Sequence, residues 1–348
     1  MSDARANRCP VTVIGGFLGS GKTTLLRRVL ADEGSKGIAV VINEFGEVAL
    51  DHHLVRQVGE QTVLVSGGCV CCNRRDDLVR VMRDLLDLDE RGPIRKLRRV
   101  LIETSGLADP APILFTLVTD PVLQHHFFVD SIMATVDAVN GQLQLDLHEE
   151  SRKQATVADQ LVLTKVDMAE PDELEKLVHR LRTINPMARI TSAVFGELAG
   201  GRLFGDGASP SSLREGWGSG LSAEPERELY KANSSSPPTE TRSLCLRLDQ
   251  PLDWVAFTIW LSMLLHARGE DVLRVKGLIN AREVGAVVLN GVQHVLHPPE
   301  HLERWPAEDE SSRLVFITRK LDPQSIVRSL NAFQCLGGGQ PVDANVSN

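Results

Sequence analysis

The sequence contains no long apolar run, no apolar leader and no excess of positive charge. A membrane helix needs roughly 20 consecutive apolar residues, and no stretch of this chain approaches that length. The opening residues, MSDARANRCP, lack the apolar core of a secretory signal. The formal net charge is -8, whereas nucleic-acid binding depends on Lys and Arg side chains that neutralise phosphates. We therefore expect a cytoplasmic protein that binds neither a membrane nor nucleic acid.

Cysteine is scarce, and half of it lies in one place. Of six cysteines, Cys69, Cys71 and Cys72 fall within four positions, and the other three are far apart in the sequence. In a reducing compartment, such a cluster indicates metal binding or redox chemistry before it indicates disulfides. The sequence around the cluster lacks the second Cys or Cys/His pair that a closed structural zinc site needs. The cluster therefore supplies three ligands and leaves a fourth position to another group, to water or to a partner.

Thiolate ligands favour particular metals. They are soft ligands that select Zn²⁺ or Cu(I), and metal binding lowers their pKa enough to deprotonate them at neutral pH. Metal binding is therefore the first interpretation, and an open site suits a metal that is passed on. A redox-sensing thiol group and buried packing cysteines are the alternatives.

Short apolar runs rich in Val and Ile alternate with amphipathic stretches over residues 1–195. Runs that are apolar throughout, rather than alternating, are typical of strands covered on both faces. The pattern predicts an α/β domain with a mostly parallel sheet flanked by helices. The predicted strands are 11–14, 38–42, 62–65, 100–102, 132–136 and 161–163.

The pattern changes after residue 195. Residues 196–242 are rich in Gly, Ser, Pro and Glu, which indicates a flexible linker or insertion. Strand signals at 243–248, 273–279, 286–289 and 313–318, with an apolar helix at 252–266, then predict a smaller α+β domain over 243–335. Residues 336–348 are predicted to be a loose tail.

A phosphate-binding motif follows the first predicted strand. The sequence from Gly16 to Thr23 matches G-x-x-x-x-G-K-[ST] and runs into a helical segment. In this motif backbone N–H groups surround the phosphates, Lys22 neutralises their oxygens, and the Thr23 hydroxyl ligates Mg²⁺. The predicted nucleotide-binding residues here are Gly16, Gly19, Ser20, Gly21, Lys22, Thr23 and Thr24.

Another predicted strand delivers Glu103 and Gly106 to its carboxyl end. Open α/β sheets bind ligands at that edge. We expect Glu103 to hold Mg²⁺ through water and the Gly106 amide to meet the γ-phosphate. On spacing alone, Glu103 is also compatible with a strand end that has no function.

The segment Thr164-Lys165-Val166-Asp167 resembles the N-K-x-D sequence with which GTPases read guanine. In that sequence the Asp accepts two hydrogen bonds from guanine and the Lys packs over the ring. Because Thr164 stands in place of the usual Asn, adenine or the use of both bases stays open as an alternative. Comparing the binding of GTP and ATP decides between them.

A possible switch segment, NEFGE, follows the strand at 38–42. P-loop proteins place a segment that responds to the γ-phosphate at this point. Its last residue, Glu47, is placed to reach either Mg²⁺ or the metal of the cysteine cluster. Since parallel strands bring these loops to one edge of the sheet, we expect the nucleotide and the thiolates to be neighbours.

Five motifs in order, GGFLGSGKTT, INEFGE, GGCVCC, IETSGLADPAP and LTKVD, resemble the CobW family of GTPases, which deliver or insert metals such as zinc or cobalt. RVKGLIN, GVQHVLHPP and RLVFITR resemble its carboxy-terminal domain. The resemblance implies that Lys22, Thr23 and Glu103 support hydrolysis and that Asp167 binds the base. It also implies that Cys69, Cys71 and Cys72 hold the transported metal, with Glu47 as a fourth ligand.

The resemblance implies a GTP-hydrolysing metallochaperone that uses Mg²⁺ and transfers Zn²⁺, or Co²⁺ or Fe²⁺, to a client metalloprotein. Such a protein would act as a monomer or homodimer. The motifs contain no evident water-orienting Gln and no arginine finger, so we expect slow intrinsic turnover. The rivals are a regulatory switch with redox-sensing cysteines, a nucleotide kinase or other ATP-using transferase, and an activator dedicated to one metalloenzyme.

Overall fold

The structure is a computed structural model that describes residues 8–31, 37–42, 63–66, 75–90, 97–198, 241–302, 304–306, 309–336 and 345–347. The chain divides into two compact units, the first built on a mostly parallel sheet and the second on an antiparallel sheet. The predicted fold class, a P-loop α/β domain and a smaller α+β domain, is confirmed. Most of the predicted linker, 199–240, lies outside the described residues.

The first sheet has eight strands within the described part of the chain. They are β1 (Cys9–Gly16), β2 (Ile38–Ile42), β3 (Val63–Ser66), β4 (Arg99–Glu103), β5 (Phe127–Asp137), β6 (Gln160–Thr164), β7 (Arg189–Val194) and β8 (Glu197–Leu198). Their spatial order is β3-β2-β4-β1-β5-β6-β7-β8. Neighbouring strands run parallel, except that β8 pairs with β7 in an antiparallel hairpin.

Helices connect these strands and cover the sheet. They are α1 (Lys22–Ala31), α2 (Arg75–Glu90), α3 (Ala111–Thr119), α4 (Pro121–His126), α5 (Gly141–Leu147), α6 (Glu149–Val157) and α7 (Pro171–Ile184). Helical spacing explains the buried face of α7, where Leu177 and Leu181 lie one turn apart and are both fully buried. Central strands are buried on both faces, as the continuous apolar runs predicted; all five residues of β2 are buried.

Strand register places the functional segments at the same edge. Glu103, the last residue of β4, pairs with Ile14 of β1 on one side and with Ile42 of β2 on the other. Ile42 in turn pairs with Ser66, the last residue of β3. The chain therefore leaves β1, β2, β3 and β4 at one carboxyl edge, where ligands of parallel sheets bind.

The second unit packs helices against its own sheet. Its helices are α8 (Trp254–Arg268) and α9 (Pro323–Leu336), and its strands are β9 (Thr241–Leu248), β10 (Val272–Ala281), β11 (Gly285–Val292), β12 (Val295–Leu296), β13 (Glu300–His301), β14 (Ser312–Arg319) and β15 (Asn345–Ser347). The core includes Trp260, whose ring meets Phe316 edge-on at 6.0 Å and whose Nε1 donates to Ser329 Oγ at 3.0 Å.

The predicted tail requires a correction. Residues 345–347 form β15, which pairs with β9 in antiparallel fashion. A three-residue strand leaves no recognisable alternation in the sequence, and it forms because β9 offers the backbone groups of a sheet edge. The predicted tail is therefore wrong at this point, and the second sheet extends to within one residue of the chain's last position.

Helix length bears on the expected absence of a membrane span. Helix α8 has 15 residues, whereas roughly 20 are needed to cross a bilayer. Within the described ranges, no helix combines the length and the apolar character that crossing requires.

Candidate functional site

The phosphate-binding motif forms the loop between β1 and α1. Gly16, Gly19 and Gly21 have φ angles of 135°, 71° and 89°, in a region that glycine enters without steric cost. A Cβ atom on Gly16 would lie 2.6 Å from the carbonyl oxygen of Thr135 in β5. Glycine at these positions therefore permits a backbone path that side chains would block.

Lys22 is the first residue of α1 and is only 9% exposed. Its Nζ donates hydrogen bonds to the carbonyl oxygens of Gly16 at 2.7 Å and Phe17 at 3.1 Å. The ammonium group is thus held across the loop that precedes it. A fixed positive charge at this place has the chemistry needed to neutralise phosphate oxygens, which loops of this type bind through backbone N–H groups.

Ser20 secures the loop to the sheet. Its fully buried Oγ lies 2.6 Å from the carbonyl oxygen of Phe17, to which it donates, and 2.6 Å from Thr135 Oγ1. The side chain of Ser20 is therefore engaged within the protein. Thr135 was not among the predicted residues, although a hydroxyl within the apolar run at 132–136 is a signal that sequence alone offers.

Thr23 and Glu103 are brought together. Thr23 Oγ1 donates a hydrogen bond to Glu103 Oε1 at 3.3 Å, and Glu103 is 3% exposed at the end of β4. A hydroxyl and a carboxylate are hard oxygen donors of the kind that Mg²⁺ prefers. Burying a carboxylate is costly unless it is paired with a cation or hydrogen-bonded. The donor set therefore fits a magnesium ion.

The loop after β4 approaches the phosphate loop at Gly106. A Cβ atom on Gly106 would lie 2.7 Å from the backbone nitrogen of Leu18 and 2.9 Å from its Cα. Real Cβ atoms do not come that close to backbone atoms, so only glycine fits.

The last predicted residue of the phosphate-binding motif, Thr24, is exposed on α1.

The predicted base-binding segment follows β6. Thr164 is 7% exposed, and its hydroxyl donates to the carbonyl oxygens of Ser20 at 2.8 Å and Val136 at 3.3 Å. Its methyl group lies under the phosphate loop, 3.3 Å from where a Cβ on Gly21 would stand. Thr164 thus ties the segment that follows β6 to the phosphate loop.

Lys165 and Asp167 come after Thr164 in the predicted base-binding segment. Lys165 has a left-handed backbone (φ 56°), and its Nζ pairs with Asp137 Oδ2 at 2.7 Å. Asp167 is exposed on the 3₁₀ turn Val166–Met168. The pairing directs the Lys165 side chain toward the end of β5 and leaves Asp167 accessible to a ligand.

Asp137 is a buried carboxylate that the sequence analysis missed. It accepts hydrogen bonds from the backbone N–H groups of Val139 at 2.8 Å and Asn140 at 3.1 Å and from the Asn140 side chain. Burial acts to raise the pKa of Asp137, but the hydrogen bonds from Lys165, Asn140 and Val139 outweigh it, so the pKa is lowered. The available signal was an Asp at the end of a buried strand beside the base-binding segment.

Two family matches cover both units of the chain. Residues 10–192 match the CobW/HypB/UreG nucleotide-binding domain, and residues 241–334 match the carboxy-terminal domain of the cobalamin synthesis protein CobW. The first match alone covers more than half of the chain. This chain belongs to the CobW/HypB/UreG family.

Relatives match the CobW-family chain over nearly its whole length. The zinc chaperone YjiA of Escherichia coli is 33% identical over 92% of this chain and 97% of that protein. The zinc chaperone CobW of Pseudomonas aeruginosa is 30% identical over 93% of this chain and 91% of its own length. A crystal structure of Zn(II)-bound YjiA GTPase from E. coli superposes with a TM-score of 0.67 at 30% identity, covering 94% of this chain and 99% of that one.

The four ligands predicted for the transported metal, Cys69, Cys71, Cys72 and Glu47, all lie outside the described residues. Within the described ranges, no three or more Cys, His, Asp or Glu side chains are grouped to hold a metal ion. The structure does show where both segments begin. NEFGE follows Ile42 and the cysteine segment follows Ser66, and these residues pair with one another next to Glu103.

The cysteines outside the cluster have different surroundings. Burial is the main influence on Cys9 and raises the pKa of its thiol to about 12. Burial likewise raises the pKa of Cys245 to about 11. Cys335 is exposed on α9. Because thiolates are the metal-binding form, Cys9 and Cys245 are poorly suited to bind a metal at neutral pH.

Proposed function

We propose that this chain hydrolyses GTP with Mg²⁺ and uses the reaction to control a Zn²⁺ ion, bound by Cys69, Cys71 and Cys72, that it transfers to a client metalloprotein. The observation that carries the proposal is the contact between Thr23 and Glu103. It joins the phosphate loop to β4 at the sheet edge from which the cysteine segment also starts. Residues 1–195 would then be the GTPase domain and 243–335 the second domain, joined by the linker at 196–242.

Hydrolysis on this arrangement depends on position and charge. Phosphoryl transfer needs little covalent help, because most of the catalysis comes from holding the reactants in line and stabilising negative charge. Lys22 supplies a positive charge at the loop, and Thr23 and Glu103 supply oxygens to magnesium. When bound, magnesium neutralises charge on the β- and γ-phosphates. The Gly106 backbone lies close to the loop at Leu18, and its amide is the proposed donor to the γ-phosphate.

Guanine is the proposed base. Asp167 is exposed and follows a tethered residue, so its carboxylate is available to accept two N–H groups from the base. Lys165 is held by Asp137 at 2.7 Å, which leaves its aliphatic part to cover the ring. The Thr164 hydroxyl supplies the connection to the phosphate loop that positions both residues.

The pairing of strands in the first sheet supports the proposed coupling between nucleotide and zinc. Ser66, Ile42 and Glu103 pair side by side, and adjacent strands lie roughly 4.8 Å apart. Cys69 is the third residue after Ser66, and an extended chain spans at most about 3.6 Å per residue. The proposed thiolate site is thus confined to the neighbourhood of the magnesium pair. Glu47, five residues beyond Ile42, is the proposed fourth ligand.

The proposed clients are metalloproteins. Two relatives, YjiA and CobW, are named zinc chaperones, and a fission yeast relative that is 27% identical over 94% of this chain is named a zinc-regulated GTPase metalloprotein activator. Three thiolates without a fourth protein thiolate leave zinc exchangeable. We place the transfer in the cytoplasm, with Co²⁺ and Fe²⁺ as further candidates for the transported ion and a monomer or homodimer as the active form.

Zinc titration under two nucleotide conditions tests the proposal. The full chain is loaded with GDP or with a non-hydrolysable GTP analogue, and the zinc dissociation constant is measured for wild type, Cys71→Ser and Cys335→Ser. We expect one zinc per chain, a nucleotide-dependent affinity, and loss of binding in Cys71→Ser only. Because linkage is reciprocal, zinc must shift nucleotide affinity by the same factor.

Two results would count against the proposal. Zinc affinity that is equal in the GDP and GTP-analogue states, together with thiols that titrate with peroxide, supports the regulatory switch with redox-sensing cysteines instead. ATP binding as tight as GTP binding supports an ATP-using transferase.

A further inference from the structure

Gln154, on a helix distant in sequence, donates hydrogen bonds to the loop that follows β4. Gln154 lies on α6 and is 3% exposed. Its Nε2 donates hydrogen bonds to two carbonyl oxygens, those of Gly106 and Ala108, both at 3.1 Å. Both hydrogens of one side-chain amide are therefore used to hold the backbone of the three residues from Gly106 to Ala108.

Residues 105–108 form a turn, and hydrogen bonds to the backbone carbonyl groups fix the orientation of its peptide planes. The Ala108 N–H donates to the Ser105 carbonyl oxygen at 3.0 Å. In a trans peptide the C=O and the following N–H point in opposite directions. The Ser105 carbonyl thus sets the direction of the Gly106 N–H, and Gln154 prevents the rest of the turn from rotating around it.

The contacts of Gln154 are not those of an ordinary packing residue. Its Oε1 is buried, and among the described residues it has no hydrogen-bond partner. Buried polar atoms are normally paired, so the position of this amide is set by the two bonds that its Nε2 donates. An apolar side chain of the same size would fill the space without this cost but would not hold the turn.

Helix α6 also meets the phosphate loop. His148, the residue before α6, stacks on Phe17 with ring centroids 4.4 Å apart. One short helix therefore contacts both loops that surround the expected γ-phosphate, at Phe17 through His148 and at Gly106 through Gln154.

We infer that Gln154 is a positioning residue for recognition of the γ-phosphate, acting through the Gly106 amide. The inference rests on the proposed binding of guanosine nucleotides. GTP and GDP differ only in the γ-phosphate, so a residue that orients the Gly106 N–H affects the binding and hydrolysis of GTP and leaves the binding of GDP unchanged.

The test is Gln154→Met, which keeps the length and volume of the side chain and removes both donors. Dissociation constants for GDP and for a non-hydrolysable GTP analogue are measured with the full chain and Mg²⁺, together with kcat for GTP. We expect GDP affinity within about twofold of wild type, whereas the affinity for the analogue and kcat each fall about tenfold, as for loss of one hydrogen bond to a charged group.

Two further variants exclude a general loss of structure. Ser151→Ala removes a buried hydroxyl from the same helix and is expected to leave all three quantities unchanged. Gln154→Asn keeps the amide but shortens the side chain by one methylene, so it decides the matter if Gln154→Met does not fold. We expect it to lose analogue affinity while retaining GDP affinity.

The inference is overturned if Gln154→Asn and Gln154→Met weaken GDP and the analogue equally, or weaken neither. A wild-type chain that binds no guanosine nucleotide contradicts the proposed function itself. These two failures are distinguishable because the second appears before any variant is made.

Discussion

The Thr164 hydroxyl donates a 2.8 Å hydrogen bond to the carbonyl oxygen of Ser20. This contact connects the segment expected to read the base with the loop expected to hold the phosphates. A hydroxyl is sufficient for that connection, which accounts physically for a Thr at a position where an Asn is usual.

Thr164→Val removes the hydroxyl and keeps the shape of the side chain. A buried hydrogen bond contributes about 1 kcal/mol, so we expect the affinities for GDP and for a GTP analogue to fall together by roughly fivefold. Equilibrium binding measures both. Thr116→Val, which removes a buried hydroxyl that bonds within α3, should change neither. A selective loss of one nucleotide would show that Thr164 is not a shared tether.

Glu103→Gln removes one negative charge beside Thr23 with little change of shape. Removing one preorganised electrostatic group typically costs about 100-fold in rate, so we expect a loss of that order in kcat and a higher magnesium concentration for half-maximal rate. A magnesium titration of GTP hydrolysis provides the measurement. Glu197→Gln, at an exposed ion pair with Arg28, is the control. An unchanged magnesium requirement would remove Glu103 from the site.

Asp137→Asn should destabilise the protein in a pH-dependent manner. The pKa of Asp137 is lowered below the ordinary value of an aspartate, 3.8, so its stabilisation is fully present above that value and is lost as pH falls through the folded-state pKa. Loss of a hydrogen bond to a charged group costs about 1.5–3 kcal/mol, which corresponds to roughly 3–12 °C in Tm for a domain of this size.

Calorimetry at several pH values measures the difference in Tm between wild type and Asp137→Asn. The difference should be constant from pH 8 to pH 5 and shrink below pH 4. Asp146→Asn, at a pair that is largely exposed, should show little difference at any pH. A gap that widens on acidification would contradict the assignment.

The cysteines should differ in their rates of alkylation at pH 8. With a pKa of about 12, only about one Cys9 in ten thousand is a thiolate at that pH, and thiolates are the reactive form. We expect Cys335 to react before Cys9 and Cys245, and zinc to protect Cys69, Cys71 and Cys72 only. Mass spectrometry of peptides locates the labels. Protection of Cys335 by zinc would place the metal elsewhere.

Much of the first sheet was predictable because its strands are covered on both faces. The predicted strand at 38–42 coincides with β2. The predicted strand at 132–136 is shorter than β5, which begins at Phe127, because Asp130 interrupts the apolar pattern. Asp130 remains in the strand because the buried Arg99 donates a hydrogen bond to it, a partnership between strands that are distant in sequence.

Some residues of the candidate site could be predicted from sequence motifs, and others could not. Lys22 and Thr23 lie in a contiguous motif, and Glu103 follows a recognisable strand. Gln154 lies 48 residues from Gly106 in a helix whose own sequence carries no motif. Its contact depends on how α6 packs, which local patterns do not encode.

The hydroxyl contacts of Ser20 with Thr135 and of Thr164 with Ser20 imply a phosphate loop that is already shaped for its ligand. Little conformational entropy is then lost when a nucleotide arrives. Association should accordingly proceed at a rate set by diffusion and orientation, without a slow ordering step beforehand.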